Sequence, residues 1–329
     1  MKRGIWVFLL LIGGPVLVWA GTPQDGWNGY VQVRFSGARG ENPGFSLRRA
    51  KLWTSGTACL PAFRYRVQVK AHFKRAGAFV LQDAYGEWHF ASGWLRFGQM
   101  VPAFSLQRLQ PDSRIPVIER ALAVKALVPA AETDGRDIGL ELHGRLGAGR
   151  LQWFAGLFNG SGGNRPGNED RNFLVTGRAE LRLRHGENRL LNIGVSLAYR
   201  KTSGLSFAKI TGSERPFRGR DVRFGADMQL AAGPFQLQAE FLQARLDGRR
   251  AYGGYVQAVY RYTPAQQLVF WVEKMHDLNP RTDDSPWFAL AYNYLLHGRL
   301  AKLILDVRQQ PADRGAHTAA TAQFQLFFH

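Results

Sequence analysis

The chain of 329 residues is long enough for one large barrel or two ordinary domains, is 45% hydrophobic, and has a formal net charge of +18. No stretch after the first 20 residues approaches the ~20 apolar residues of a membrane-spanning helix, so a membrane protein with this sequence would cross as a closed barrel. The charge excess implies an acidic partner, which is nucleic acid, anionic lipid or lipopolysaccharide, or a small anion.

The N-terminus has the pattern of an export signal. Two basic residues precede the apolar run 5–12, and residues 18–20, Val-Trp-Ala, fit a cleavage site. The alternative interpretation is a membrane anchor helix, for which this run is short. We therefore predict a signal peptide at 1–20 and one barrel domain at 21–329. Export argues against nucleic acid as the partner.

After the predicted signal, segments of about ten residues alternate apolar and polar side chains, which is typical of transmembrane barrel strands. In the clearest segment, Tyr65 and Val67 point to one side while Arg64 and Arg66 point to the other. The predicted strands lie at 27–36, 45–54, 62–73, 79–90, 93–101, 137–146, 149–158, 174–184, 189–200, 220–231, 234–245, 252–262, 266–276, 286–296, 299–309 and 318–329. A soluble β-sandwich would alternate in the same way.

The connections between the predicted strands favour the barrel over the sandwich. Every second connection is mostly short, whereas the others are mostly longer, and 102–136, 159–173 and 201–219 are the longest. Short turns on one side and long loops on the other are typical of an outer-membrane barrel. We predict an all-β fold, a transmembrane antiparallel β-barrel of 16 strands with both ends on the periplasmic side.

Basic side chains dominate the faces that these strands would turn to the lumen. The predicted pore-lining cations on two of the strands are Arg64, Arg66, Lys70, Arg178, Arg182 and Arg184. Residues two apart lie about 6.6–6.8 Å apart along a strand, so an anion can pass from one cation to the next. Such ladders are typical of anion and phosphate pores. The alternative is a general porin with a lumen of both signs. Its acidic candidates are Asp83, Glu87, Glu141 and Glu180.

The longest predicted loop, 102–136, is too apolar for an exposed connection. Ten large apolar residues between 104 and 128 predict that it packs, and in a barrel of this size it can fold into the lumen and narrow it. The alternative is an external lid packed on itself. The basic residues of this loop are Arg108, Arg114, Arg120, Lys125 and Arg136.

Several motifs occur in the order found in a known family. They are Ser46-Leu47-Arg48-Arg49-Ala50-Lys51, Leu81-Gln82-Asp83-Ala84-Tyr85, Phe97-Gly98-Gln99, Val101-Pro102-Ala103-Phe104-Ser105-Leu106, Ser113-Arg114, Ile118-Glu119-Arg120, Gly135-Arg136-Asp137-Ile138-Gly139 and Gly156-Leu157-Phe158-Asn159-Gly160-Ser161-Gly162. On these motifs the chain resembles the phosphate-selective porins, also called the O and P porin family. The resemblance is strongest over 45–182.

The resemblance implies a homotrimer of 16-stranded barrels whose third external loop folds inward. It also implies an anion site of paired arginines on the second strand, an aspartate on the fourth, and basic residues of the loop. Carried over by motif, these residues are Arg48, Arg49, Asp83, Arg114 and Arg120, with Arg34 and Lys125 as further candidates. Consecutive residues face opposite sides of a regular strand, so both arginines reach the pore only through a bulge or a bend. Otherwise one packs at the trimer interface or against the inward loop.

The sequence lacks the residue sets of common catalysts. The eight histidines show no metal-ligand spacing, and no Gly-x-Ser-x-Gly motif occurs. We predict a passive outer-membrane channel, not an enzyme, that needs no cofactor and favours small anions, phosphate among them. The alternatives are a general porin and a barrel with a structural or adhesive role toward lipopolysaccharide, which would carry its basic residues mainly on long loops.

Overall fold

The computed structural model describes residues 26–38, 40–72, 78–185, 189–297, 300–311 and 316–328, so the signal peptide predicted at 1–20 lies outside the described residues. The strands are β1 (Asn28–Ala38), β2 (Gly44–Thr57), β3 (Phe63–His72), β4 (Ala78–Phe90), β5 (Gly93–Met100), β6 (Asp137–Leu146), β7 (Leu151–Phe158), β8 (Leu174–His185), β9 (Arg189–Leu205), β10 (Phe217–Ala232), β11 (Phe235–Leu246), β12 (Arg249–Thr263), β13 (Gln266–His276), β14 (Trp287–Leu295), β15 (Ala301–Gln310) and β16 (His317–Phe328). The short helices are α1 (Leu106–Leu109), α2 (Leu122–Leu127) and α3 (Ala208–Thr211), with a 3₁₀ turn at Ala131–Thr133.

The strands close into a single antiparallel barrel in which each strand pairs with its neighbours in the sequence. The first and last strands complete the ring, with Gly29 opposite Phe328 and Ala38 opposite Ala319. Closure removes the free strand edges, so the backbone of the wall forms its hydrogen bonds without water. The predicted fold class and the predicted count of 16 strands are confirmed.

The largest difference between predicted and observed strand ends lies at the connection between β9 and β10. The sequence predicts a loop at 201–219, but β9 and β10 continue to pair until Leu205 lies opposite Phe217, so this loop shortens to 206–216. Apolar and polar alternation marks only the part of a strand that has an apolar side. A ladder of backbone hydrogen bonds can extend past that part without any such pattern.

The connections differ in length between the two ends of the barrel. The shortest ones at one end are 91–92, 233–234 and 264–265, while the other end carries 101–136 and 159–173. No helix in the described ranges is both long and apolar enough to cross a membrane.

On the barrel wall apolar side chains are exposed and charged side chains are buried, which is the opposite of their distribution in a soluble protein. On β10, Val222 and Phe224 are exposed, whereas Asp221 and Arg223, which alternate with them, are 2% exposed. In a closed barrel the buried set faces the interior and the exposed apolar set faces outward, where lipid would cover it. The charged side chains of alternate positions are therefore gathered inside the ring.

Two β-bulges turn adjacent polar residues to the same side of the wall. Opposite β1, Gln32 pairs with Arg49 but Val33 pairs with Leu47, which leaves Arg48 as an extra residue of β2. Opposite β3, the same irregularity leaves Gln82 as the extra residue of β4, beside Asp83. A bulge breaks strict alternation and redirects a side chain. The bulge that the Arg48-Arg49 pair requires is present.

Candidate functional site

The connection between β5 and β6, residues 101–136, is called the long connection below. Its apolar side chains are buried, Phe104, Ile115 and Leu127 among them, and α2 packs against β11, β12 and β13. The prediction that this segment packs is confirmed.

Backbone groups of the long connection bond to inward side chains from well-separated strands. The amide of Leu122 donates to the Glu273 carboxylate of β13 at 2.6 Å, and the Lys302 Nζ of β15 donates to the Ile115 carbonyl at 3.2 Å. These bonds satisfy backbone groups that the connection would otherwise bury without partners.

Glu119 of the long connection is surrounded by four cations. Its carboxylate lies 2.7 Å from Arg34 Nη1, 2.7 Å from Arg48 Nε, 3.2 Å from Lys125 Nζ and 3.6 Å from Arg49 Nη2. Because the bulge adds Arg48 to the face that carries Arg49, the two consecutive arginines reach the same carboxylate.

Asp112 of the long connection has a similar environment, since its carboxylate lies 2.5 Å from Lys51 Nζ, 2.8 Å from Arg120 Nη2 and 3.7 Å from Arg49 Nε. Arg49 therefore touches both carboxylates. Within the described residues, six cations share these two acids by direct ion pairs. We call the set the six-cation cluster. Its members are Arg34, Arg48, Arg49, Lys51, Arg120 and Lys125.

Both acids of the cluster stay ionised because cations outweigh the effect of burial. Burial by itself would raise the pKa of the Glu119 carboxyl, but the charge of Lys125 and the hydrogen bond from Arg48 hold that pKa well below its usual range. Burial likewise opposes ionisation of Asp112, and the charges of Lys51 and Arg120 hold its pKa well below normal.

These depressed pKa values predict how the channel responds to acid. A carboxylate whose pKa is lowered by folding stabilises the fold above its unfolded pKa, about 4, and this stabilisation is lost as the pH falls through the folded pKa. We therefore expect the effect of Glu119→Gln on ion selectivity to be the same at pH 8 and at pH 5, because Glu119 of the wild-type protein stays ionised throughout this range. A transition near pH 6 that Glu119→Gln abolishes would contradict this prediction.

Asp83 organises a second group of charges on the neighbouring strands. Its carboxylate accepts a hydrogen bond from Arg136 Nε at 2.8 Å and lies 3.5 Å from Arg66 Nε. Asp134 of the long connection lies 3.3 Å from Lys70 Nζ. The long connection is thus tied to β3 and β4 as well as to β1 and β2.

The cations predicted on β8 differ in their surroundings. The Arg178 side chain is 0% exposed, and its guanidinium binds both carboxylate oxygens of Asp227, at 2.5 and 2.9 Å. Arg182 is partly exposed and donates to Glu180 at 2.9 Å. Because the Arg178 side chain is fully buried, a solute cannot reach it, and Arg178 does not belong to the proposed site.

Three predicted cations remain open to solvent. Arg64, Arg114 and Arg184 are exposed, and in the part of the chain that the structure describes none of them forms an ion pair. Arg114 belongs to the long connection, two residues after Asp112, whereas Arg64 and Arg184 lie on strands near the short-turn end.

Sequence reasoning missed the roles of Lys51, Arg136, Asp112 and Glu119. Lys51 stands two residues after Arg49 on β2, so strand alternation alone places the two on one face. The two acids of the long connection lie in irregular backbone, and no periodicity indicates which cations they meet. In the described ranges, no group of three or more His, Cys, Asp or Glu side chains is placed to hold a metal ion.

A closed 16-stranded barrel with charged side chains gathered inside defines the class of outer-membrane porins. The family model described as phosphate-selective porin O and P matches residues 26–270. The chain belongs to this family, as its motifs predicted. No curated protein sequence matches the chain.

Solved structures show the same fold at low identity. OmpT of Vibrio cholerae, folded in vitro, superposes with a TM-score of 0.63 at 9% identity, over 92% of this chain and 96% of that one. The outer membrane channel DcaP of Acinetobacter baumannii gives a TM-score of 0.62 at 10% identity, over 92% and 96% of the two chains. OprB of Pseudomonas putida gives 0.63 at 9% identity, over 92% and 93%. At these identities the likeness concerns the fold alone.

Proposed function

We propose that this porin is a passive diffusion channel of the outer membrane that prefers anions, phosphate among them, and that works without a cofactor or catalysis. The observation that carries the proposal is the six-cation cluster, where direct ion pairs leave an excess of positive charge around Asp112 and Glu119. Excess charge of one sign in a narrow path attracts ions of the other sign.

The proposal places the long connection inside the lumen, where it would narrow the path. Its bonds to inward side chains of β1, β2, β4, β13 and β15 support this placement, because one segment can reach strands on opposite sides of a ring only from within it. An external lid would bond mainly to the strand ends.

Passing anions would meet the cations that retain open surface. Arg48 and Lys125 are 37% and 40% exposed although both contact Glu119, and Arg114 of the long connection is also exposed. A guanidinium offers two parallel donors that match phosphate oxygens. Because Arg48 and Lys125 already share the Glu119 carboxylate, an anion would be held weakly there and released.

Partial neutralisation of the cluster tests the proposal. We expect the wild-type channel to show an anion-selective reversal potential in a potassium chloride gradient, and Arg48→Ala with Lys125→Ala to lower that selectivity several-fold, because two exposed cations are lost. The matched control is Arg245→Ala, which removes an exposed arginine on the outward face of β11 and should leave selectivity unchanged. A cation-selective wild-type current would contradict the proposal.

Titration of phosphate against the chloride current separates the finer claims. Block at low phosphate would support a phosphate channel, while an anion-selective current indifferent to phosphate would leave a general anion-preferring porin.

We also propose a homotrimer, since the family resemblance implies one and a structure of Vibrio cholerae OmpT is described as a trimer form. The mass of the detergent complex, measured by light scattering, tests this assembly.

A further inference from the structure

Aromatic side chains face the interior of the barrel on three strands near its short-turn end. Trp53 alternates with Lys51 on β2, Tyr85 alternates with Asp83 on β4, and Trp94 alternates with Arg96 on β5. All three aromatic residues are partly exposed. They lie on the face that carries the polar residues, where interfacial lipid anchoring gives no reason for them.

Arginine side chains are stacked against these rings. The Arg96 guanidinium carbon lies 4.3 Å from the ring centroid of Tyr85 and 4.3 Å from that of Trp94, and Arg66 lies 5.6 Å from that of Trp53. Arg66 is also directly opposite Tyr85 in the β3–β4 register, so the two arginine–aromatic groups adjoin each other. The positions of the rings and of the cations are therefore fixed relative to one another.

Two arginines of the same wall have exposed surface at which they can bind an anionic group. Arg66 is 28% exposed although it contacts Asp83 and Gln68, and Arg64, two residues away on the same face, is exposed. In the described ranges Arg64 forms no ion pair. An anionic group could bind here while a flat ring attached to it lies on an exposed aromatic face.

We propose that one part of the barrel wall binds solutes that carry an anionic group on an aromatic ring. This part of the wall is formed by Trp53, Arg64, Arg66, Tyr85, Trp94 and Arg96. The inference rests on the proposed anion channel. Trp53 offers the aromatic face for the ring, while Arg64 and Arg66 pair with the charge. Trp94 is already stacked on His143, with ring centroids 4.9 Å apart, and Arg96 is already paired with Glu87 at 2.5 Å, so these two groups border the site. Stacking on aromatic side chains tolerates many ring types, so the site selects a class of solute and not one compound.

Current block by matched phosphate esters tests this site. Phenyl phosphate supplies ring and charge, cyclohexyl phosphate supplies the bulk and the charge without an aromatic face, and ethyl phosphate supplies the charge alone. We expect phenyl phosphate to block the chloride current at a concentration about fivefold lower than either of the other esters, because only its ring can stack.

Two substitutions locate the site within the barrel. Trp53→Leu should remove most of the preference for phenyl phosphate while chloride selectivity persists. Its matched control is Trp88→Leu, which changes an outward, 47% exposed tryptophan of β4 and should leave the preference intact. Arg66→Gln should weaken block by phenyl phosphate and by ethyl phosphate alike, because both esters carry the phosphate group with which the guanidinium pairs.

The outcomes separate this inference from the proposed function. Equal block by the three esters of a channel that remains anion-selective would overturn the ring site and retain the anion channel. A preference for phenyl phosphate that Trp53→Leu leaves unchanged would also overturn it. A channel without anion selectivity would instead contradict the proposed function on which the site depends.

Discussion

Replacement of Arg178 by methionine is expected to destabilise the barrel by about 3–5 kcal/mol, because it leaves a buried carboxylate without its counter-charge. Arg178 and Asp227 are 0% and 1% exposed and are joined by two hydrogen bonds. Ser196 and the carbonyl of Phe104 accept further bonds from the same guanidinium. The loss would also remove one anchor of the long connection.

Close packing around this pair supports the size of the expected effect. A Cβ on Gly194 would lie 2.4 Å from Arg178 Nη2 and 2.5 Å from Asp227 Oδ1, so the backbone of β9 makes room for the ion pair only by lacking a side chain. Gly194→Ala should therefore destabilise the barrel as well.

The measurement is the urea midpoint of unfolding in lipid vesicles, with Arg182→Met as the matched control. Arg182 stands on the same strand and face, but it is 37% exposed and pairs with Glu180, so its loss should cost at most about 1 kcal/mol. Adding Asp227→Leu to Arg178→Met should restore much of the stability, since neither position of the buried pair then carries a charge. Equal midpoints for the two single variants would contradict the prediction.

Replacement of Glu119 by glutamine is expected to loosen the long connection and to increase anion selectivity. The substitution leaves Arg34, Arg48, Arg49 and Lys125 close together without the carboxylate that holds them. Losing one partner of such a largely buried group costs about 3–5 kcal/mol, and here the cost falls on the anchoring of the connection. Open-channel current noise should rise, and the reversal potential should shift further toward that of the anion.

A matched control for Glu119→Gln is Glu169→Gln. Glu169 pairs with Arg165 in the connection 159–173, where both side chains are about half exposed, so its loss should change neither noise nor selectivity. If Glu119→Gln leaves the current noise at the wild-type value, the ion pairs of the cluster do not anchor the connection. If its reversal potential shifts toward cation selectivity, the cluster does not set the sign of the ions that pass.

Part of the candidate site could be predicted from local sequence and part could not. Alternation on β3 correctly gathers Arg64, Arg66 and Lys70 on one face, because a strand has a fixed period of two. The same rule fails at Arg48 and Gln82, where an extra residue shifts the register and only the partner strand shows the shift.

The sequence by itself determined the 16 strands, their antiparallel connectivity and the family. Alternation, turn spacing and motif order are local properties that can be recognised along the chain without the tertiary structure. Only the tertiary structure decided which charges meet. Glu119 lies 85 residues from Arg34 in the sequence, and Arg178 lies 49 residues from Asp227, yet each pair is in contact. Whether an arginine is open to a solute or enclosed by a carboxylate depends on such distant contacts, since the charge and burial of its neighbours fix its accessibility and its partner.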